Sequence, residues 1–167
     1  MRKLIALVLA LTLHAAQCAA QSWESVASAG LGFAAEFPGK PEFTESKGDD
    51  GGMIRTYVVK SSAAAYDLTI WDLPDGAIGP DDVDRVLDNM RDQSIEGVRG
   101  TLRSETKIEI GGQKARDLTA DVMGMVWLSR VAIARNKIYQ IVAIVSKAEE
   151  QSETTMHYLT SFKLLGP

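Results

Sequence analysis

Hydrophobic and polar positions alternate along most of this chain with the period of two that marks a β-strand. Phe33, Ala35 and Phe37 alternate ahead of Pro38-Gly39, and Tyr66, Leu68 and Ile70 alternate with Asp67 and Thr69. Between Arg103 and Ile110, Ser104, Thr106, Ile108 and Ile110 share one face. Arg103, Glu105, Lys107 and Glu109 form the other, a charged face expected to meet water. After Gly111-Gly112, Leu118, Ala120 and Val122 oppose Asp117, Thr119 and Asp121, which predicts a hairpin with a two-glycine loop. Gly124 turns the chain again. Met125 to Arg135 and Ile138 to Val145 then pair as a second hairpin closed by Asn136-Lys137, since Asn tolerates the positive φ of a primed turn. Gly48 to Gly52, Pro74-Asp75-Gly76 and Gly79-Pro80 read as further loops.

Ile138 to Val145 does not alternate, because Gln140 is its sole polar residue. Such a strand belongs in the middle of a sheet covered on both faces; at an edge it would template aggregation. Two helical segments supply the covers. In Asp81 to Glu96, after Pro80, the residues Val83, Val86, Leu87 and Met90 recur at i, i+3, i+4 and i+7, and Asp81, Asp82 and Asp84 sit where the helix dipole favours negative charge. A second helix is expected from Ser146, with Glu149 completing a Ser-x-x-Glu capping box and Ala148, Ser152, Thr155, Leu159 and Phe162 on one stripe. The order predicts an α+β fold, a three-layer α/β/α sandwich with a largely antiparallel sheet and two main helices.

Residues 1–20 read as a cleaved secretory signal peptide. Arg2 and Lys3 precede the apolar run Leu4 to Leu13, and Cys18-Ala19-Ala20 supplies a small-residue cleavage site before Gln21. The apolar run is about half the roughly twenty residues of a spanning helix, and no second long run follows. Gln17 and Ala15 do not fit the small and Leu-like residues expected before a lipid-attachment cysteine. A soluble periplasmic or secreted protein is the expectation, with residues 21–167 as one α+β domain and no integral membrane segment. Removal of the leader takes away Cys18, the only cysteine, and with it disulfide and thiolate chemistry. It leaves 16 basic residues against 22 acidic ones, a net charge of −6 that gives no electrostatic reason to bind nucleic acid.

The sequences Gly32-Phe33, Phe37-Pro38-Gly39-Lys40-Pro41, Ile138-Tyr139-Gln140-Ile141 and the ending Tyr158 to Leu164 resemble those of small secreted bacterial proteins of unassigned function. The fold of those proteins is similar to that of the PsbP family, the extrinsic subunits of the photosynthetic oxygen-evolving complex, and to that of a family of nuclear Ran-binding proteins. The resemblance spans most of the chain in element order. It implies the three-layer architecture and a non-catalytic binding role, and it carries no catalytic or metal residue onto a position here.

The chemical inventory is thin. His157 is the sole histidine after the leader, and there is no Gly-x-Ser-x-Gly elbow, phosphate loop, or His/Cys set for zinc. Asp49-Asp50-Gly51-Gly52 and Asp81-Asp82-x-Asp84 lack the spacing of an EF-hand loop. No cofactor, metal or catalytic residue is therefore assigned. Asp67 lies on the outward face of a strand, and Asp75 in a Pro-Asp-Gly turn. Trp71 points opposite to Tyr66, Leu68 and Ile70 and is followed by Asp72, so Trp71 and Asp72 mark a possible binding surface, unless a helix covers that face. The leading expectation is a non-enzymatic binding or assembly module with an envelope or extracellular protein partner. The alternatives are an extracytoplasmic hydrolase or small-ligand enzyme joining His157 and Asp72 in a groove near Trp71, and a purely structural envelope component.

Overall fold

The apolar segment that demanded cover on both faces, β9 (Lys137–Val145), is the central strand of a seven-stranded antiparallel sheet in the computed structural model, which describes residues 22–49 and 51–166. The predicted leader lies outside the described residues. The sheet also contains β3 (Glu42–Lys47), β4 (Met53–Lys60), β5 (Ala65–Asp72), β6 (Thr101–Ile110), β7 (Gln113–Val122) and β8 (Met125–Ala134), in the order β3-β4-β5-β9-β8-β7-β6. Helix α1 (Val83–Gly97), entered through a 3-10 turn at Pro80–Asp82, covers one face. Helix α2 (Glu153–Ser161) covers the other. The predicted α+β sandwich is thus observed, with one addition. A small antiparallel sheet of β1 (Glu24–Ser28), β2 (Phe33–Phe37) and β10 (Lys163–Leu164), in the order β1-β2-β10, shares the second outer layer with α2.

Two cores result, one on each face. On the α2 side, Phe33 and Phe37 of β2 and Tyr158, Leu159 and Phe162 pack on Tyr66, Leu68 and Ile70 of β5 and Tyr139 and Ile141 of β9. On the α1 side, Leu87, with Val83, Val86 and Met90 around it, packs on Leu118, Trp127, Val131 and Ile138. Burying apolar surface on both faces of the central strands is what makes β9 non-alternating.

Three two-residue loops join β6 to β9. Gly111-Gly112, Met123-Gly124 and Arg135-Asn136 all have positive φ, as the primed turns that suit strand twist require. The last lies one residue earlier than Asn136-Lys137, because Lys137 pairs with Ala134 and Asn136 takes the second loop position.

Two other expectations are corrected. Helix α2 begins at Glu153, and residues 146–152 turn through Glu149 N–H to Ser146 carbonyl (3.0 Å) and Ser152 N–H to Glu149 carbonyl (3.1 Å) bonds. The Ser146–Glu149 box does not form. Ser152 is the cap, its hydroxyl accepting from the Thr155 N–H at 3.2 Å, one residue before the helix whose buried positions are Thr155, Tyr158 and Leu159. On β6, Glu105 does not simply face water: paired with Leu118, it lies on the α1 side, drawn in by the cations of Arg91 and Arg116 at 2.9 and 3.0 Å.

Candidate functional site

The connection from β5 to β6 fixes where the sheet is left open. It starts at the third strand position and ends at the seventh, so its helix must pass over β9, β8 and β7. Helix α1 packs on β7 and β8 and reaches β5 at Trp71, beside Met90, and among the described residues the rows of β3, β4 and β5 beyond Trp71 are not packed under it. On β5 the consequence is direct: Tyr66, Leu68 and Ile70, under α2 and the small sheet, are buried, while Asp67, Thr69 and Trp71 on the α1 side are only half-buried.

Strand register arranges this open half in rows. Ile54, Trp71 and Ile138 form one, Thr56, Thr69 and Gln140 the next, Val58, Asp67 and Val142 the third, and Lys60, Ala65 and Ile144 the last. Edge strand β3 extends the middle two with Thr44 and Glu42. Two hollows lie along this face. The first, about 240 Å³, is lined by Ile54, Trp71, Leu73, Met90 and Ile138 at the border with α1. The second, about 380 Å³, is lined by Thr44, Thr56, Val58, Asp67, Val142 and Ile144. Their walls combine aliphatic surface with a few convergent polar groups.

Of the two residues selected from sequence, Trp71 lies on this face, partly packed under α1. Asp72 lines the same hollow, but its side chain follows Ile70 toward the opposite face. There it accepts from Arg55 Nη1 and from Lys137 Nζ, both at 2.6 Å. Burial works against the Asp72 carboxylate, and the hydrogen bonds from Lys137 and Arg55 outweigh it, holding the group below the usual carboxylate range. Strand alternation separates the pair: they share a rim and not a surface.

His157 stands elsewhere. Its Nε2 is 2.5 Å from Glu36 Oε2, its ring centroid is 4.2 Å from that of Trp23, and it lines a groove between α2 and the β1–β2 hairpin. Ser161, in the same groove, accepts the Glu36 N–H and donates to the Tyr158 carbonyl. His157 and Asp72 share no cavity, so the constellation required by the enzyme alternative is not assembled. Among the described residues, no group of three His, Cys, Asp or Glu side chains is placed to hold a metal.

The residue that sequence reasoning set aside is Asp67. Half-buried on the open face, it accepts a 2.8 Å hydrogen bond from the Thr69 hydroxyl, which lies 3.2 Å from the Thr56 hydroxyl. Burial pushes the Asp67 carboxyl above its ordinary range, against the Thr69 hydrogen bond and the Lys60 charge. Alternation did place Asp67, Thr69 and Trp71 on one face. That this face stays uncovered depends on the path of α1, which no local pattern encodes.

No protein-family model matches the sequence, and no curated protein does. Among solved structures, cyanobacterial PsbP (CyanoP) from Synechocystis sp. PCC 6803 aligns over 89% of this chain and 95% of its own, with a TM-score of 0.61 and 13% identity. A protein of unknown function from Pseudomonas aeruginosa aligns over 65% of this chain and 86% of its own, with 15% identity and a TM-score of 0.39. At 13% identity the likeness is one of fold, and it agrees with the architecture described above: this chain has a PsbP-like fold.

Proposed function

We propose that this protein is a periplasmic or secreted, single-domain, non-enzymatic binding module, and that it recognises a protein partner through the open half of its large sheet. The observation that carries the reading is the row system on β4, β5 and β9, where the half-buried Val58 and Ile144 and the buried edge of Val142 surround the Asp67 side chain, next to Thr69, in a hollow lined by sheet residues alone. An uncovered sheet face with aliphatic walls marks an interaction surface more often than a solvated one. Export rests on the leader-like residues 1–20, and the lack of a helix long and apolar enough to cross a membrane among the described residues is compatible with it.

Photocrosslinking tests the reading. A photoreactive side chain at Thr56 in the open face and, separately, at Lys107 on the far edge strand is activated in intact cells. Capture of one species at position 56 and not at 107 is the expected result. Equal capture at both, or none at 56 from folded protein, would sink it.

A further inference from the structure

Half-buried acids on the strands of this protein have cationic partners, with one exception. Asp72, Glu105, Asp117 and Asp121 each lie within 4 Å of a lysine or arginine nitrogen, and Glu36 lies against His157. Asp67 has no such partner among the described residues, although it sits in the third row of the open face between Val58 and Val142. The Lys60 side chain, exposed at the end of β4, stays beyond ion-pair distance. A carboxylate kept half out of water with no ion pair in contact, and only the more distant Lys60 charge to offset its burial, is unfavourable in the free protein and gains when a ligand brings a cation into contact.

The surroundings define that cation. Asp67 Oδ1 already accepts from the Thr69 hydroxyl, so a guanidinium fork laid across both oxygens would have to share Oδ1 with that donor. An ammonium group, compact and with three rotatable donors, can instead bond the free oxygen and the Thr56 or Thr69 hydroxyl at once. The aliphatic walls Val58, Val142 and Ile144 suit a hydrocarbon stem leading to that charge. The floor is a single sheet with nothing above it, so a free small amine would leave much of its surface in water, whereas a side chain delivered by a protein surface closes the hollow from above.

We propose that the hollow beside Asp67 receives a lysine side chain of a protein partner, its ammonium on the Asp67 carboxylate and its stem across Val58, Val142 and Ile144. This rests on the reading of the open face as the recognition surface, and it names the anchor of that recognition.

The test titrates the isotopically labelled protein with blocked lysine (Nα-acetyl-lysine methylamide), the matching blocked norleucine, which keeps the stem and lacks the ammonium, and n-butylammonium, following backbone amide shifts. Saturable shifts centred on Asp67, Thr69 and Val142 are expected with blocked lysine, at least tenfold weaker with norleucine, and at least tenfold weaker in Asp67→Asn, which keeps the acceptor for Thr69 and removes a strained charge. An equal response to norleucine, an unchanged response in Asp67→Asn, or no saturable shift overturns the proposal. Binding of n-butylammonium ten times tighter than blocked lysine overturns it in favour of a free amine. Crosslinking from Thr44, exposed on the edge strand at the rim of the hollow, compared with and without Asp67→Asn, separates the two claims: undiminished capture in Asp67→Asn sinks the lysine anchor and leaves the recognition surface standing, and capture lost along with the lysine response supports both.

Discussion

The Arg116 guanidinium and the Asp84 carboxylate meet at 2.6 Å, tying the first turn of α1 to β7. Arg116 is 2% exposed and Asp84 stands at the surface, where Arg116 and Lys114 together hold its carboxyl down to about 2. A carboxyl lowered by folding contributes stability above its unfolded pKa, and the contribution is lost as pH falls through the folded one. The window here runs from about 4 down to about 2. Urea midpoints of the wild type and Asp84→Asn should therefore differ at pH 5 and converge as pH approaches 2. A difference that does not change with pH would refute the pairing.

The same cluster predicts an asymmetry. Glu105 bonds Arg116 Nε at 3.0 Å and Arg91 at 2.9 Å, and its side chain, like that of Asp84, keeps some access to water. Removing Arg116 lets those acids rehydrate; removing Glu105 strands a buried guanidinium with one donor unpaired. Glu105→Ala should cost roughly 1–3 kcal/mol. Arg116→Met, which fills similar space without charge, should stay within about 1 kcal/mol of wild type. Chemical denaturation of both variants decides it, and a larger loss in Arg116→Met would reverse the assignment.

At the tip of the β7–β8 hairpin, Met123 holds a φ of 50° and is 93% exposed. It has no packing to lose, and its backbone conformation is one that an asparagine adopts at lower cost. Met123→Asn should gain about 1 kcal/mol, a rise in Tm of roughly 2–4 °C for a chain of this size. An unchanged or lowered Tm would mean that the tip is held by contacts other than its turn geometry.

Much of this fold is written locally. The non-alternating β9, the Gly111-Gly112 turn and the Val83-Val86-Leu87-Met90 stripe each reflect burial or backbone geometry within a few residues, and each occurs as the pattern implies. The small sheet was not legible, because Phe33, Ala35 and Phe37 alternate identically whether β2 joins β1 and β10 or the main sheet. The inward turn of Glu105 depends on Arg116, eleven residues away and positioned by a different strand. The candidate surface was half legible. Alternation found Trp71, and Asp67 was passed over because an outward-facing acid on a strand is ordinary until the sheet is known to be uncovered above it.

Asp67 gives a pH signature of its own. Burial raises its carboxyl in the folded state, so the fold binds this proton more tightly than the unfolded chain does. Its effect on stability is therefore absent below the unfolded pKa, grows as pH rises from there through the raised folded value, and stays unfavourable above it. Asp67→Asn should have a higher Tm than wild type at pH 7 and an equal one near pH 3. A lower Tm at pH 7 would mean that the carboxylate has a cationic partner in solution, and that the hollow is already filled.

Two serines test the start of α2. Ser146 opens the segment that sequence pattern reads as the helix, but Ser152 makes the capping bond, accepting from the Thr155 N–H at 3.2 Å while Thr155 itself is fully buried. Loss of a cap leaves an amide donor unpaired at the helix end, and Ser152→Ala should cost about 1 kcal/mol. Ser146→Ala removes no helix cap and should stay within about 0.5 kcal/mol of wild type. If denaturant unfolding instead finds Ser146→Ala the costlier change, the helix in solution begins where the Ser-x-x-Glu pattern put it, and Tyr158, whose hydroxyl donates to the Asp67 carbonyl at 2.6 Å, would be carried by a longer, differently anchored helix.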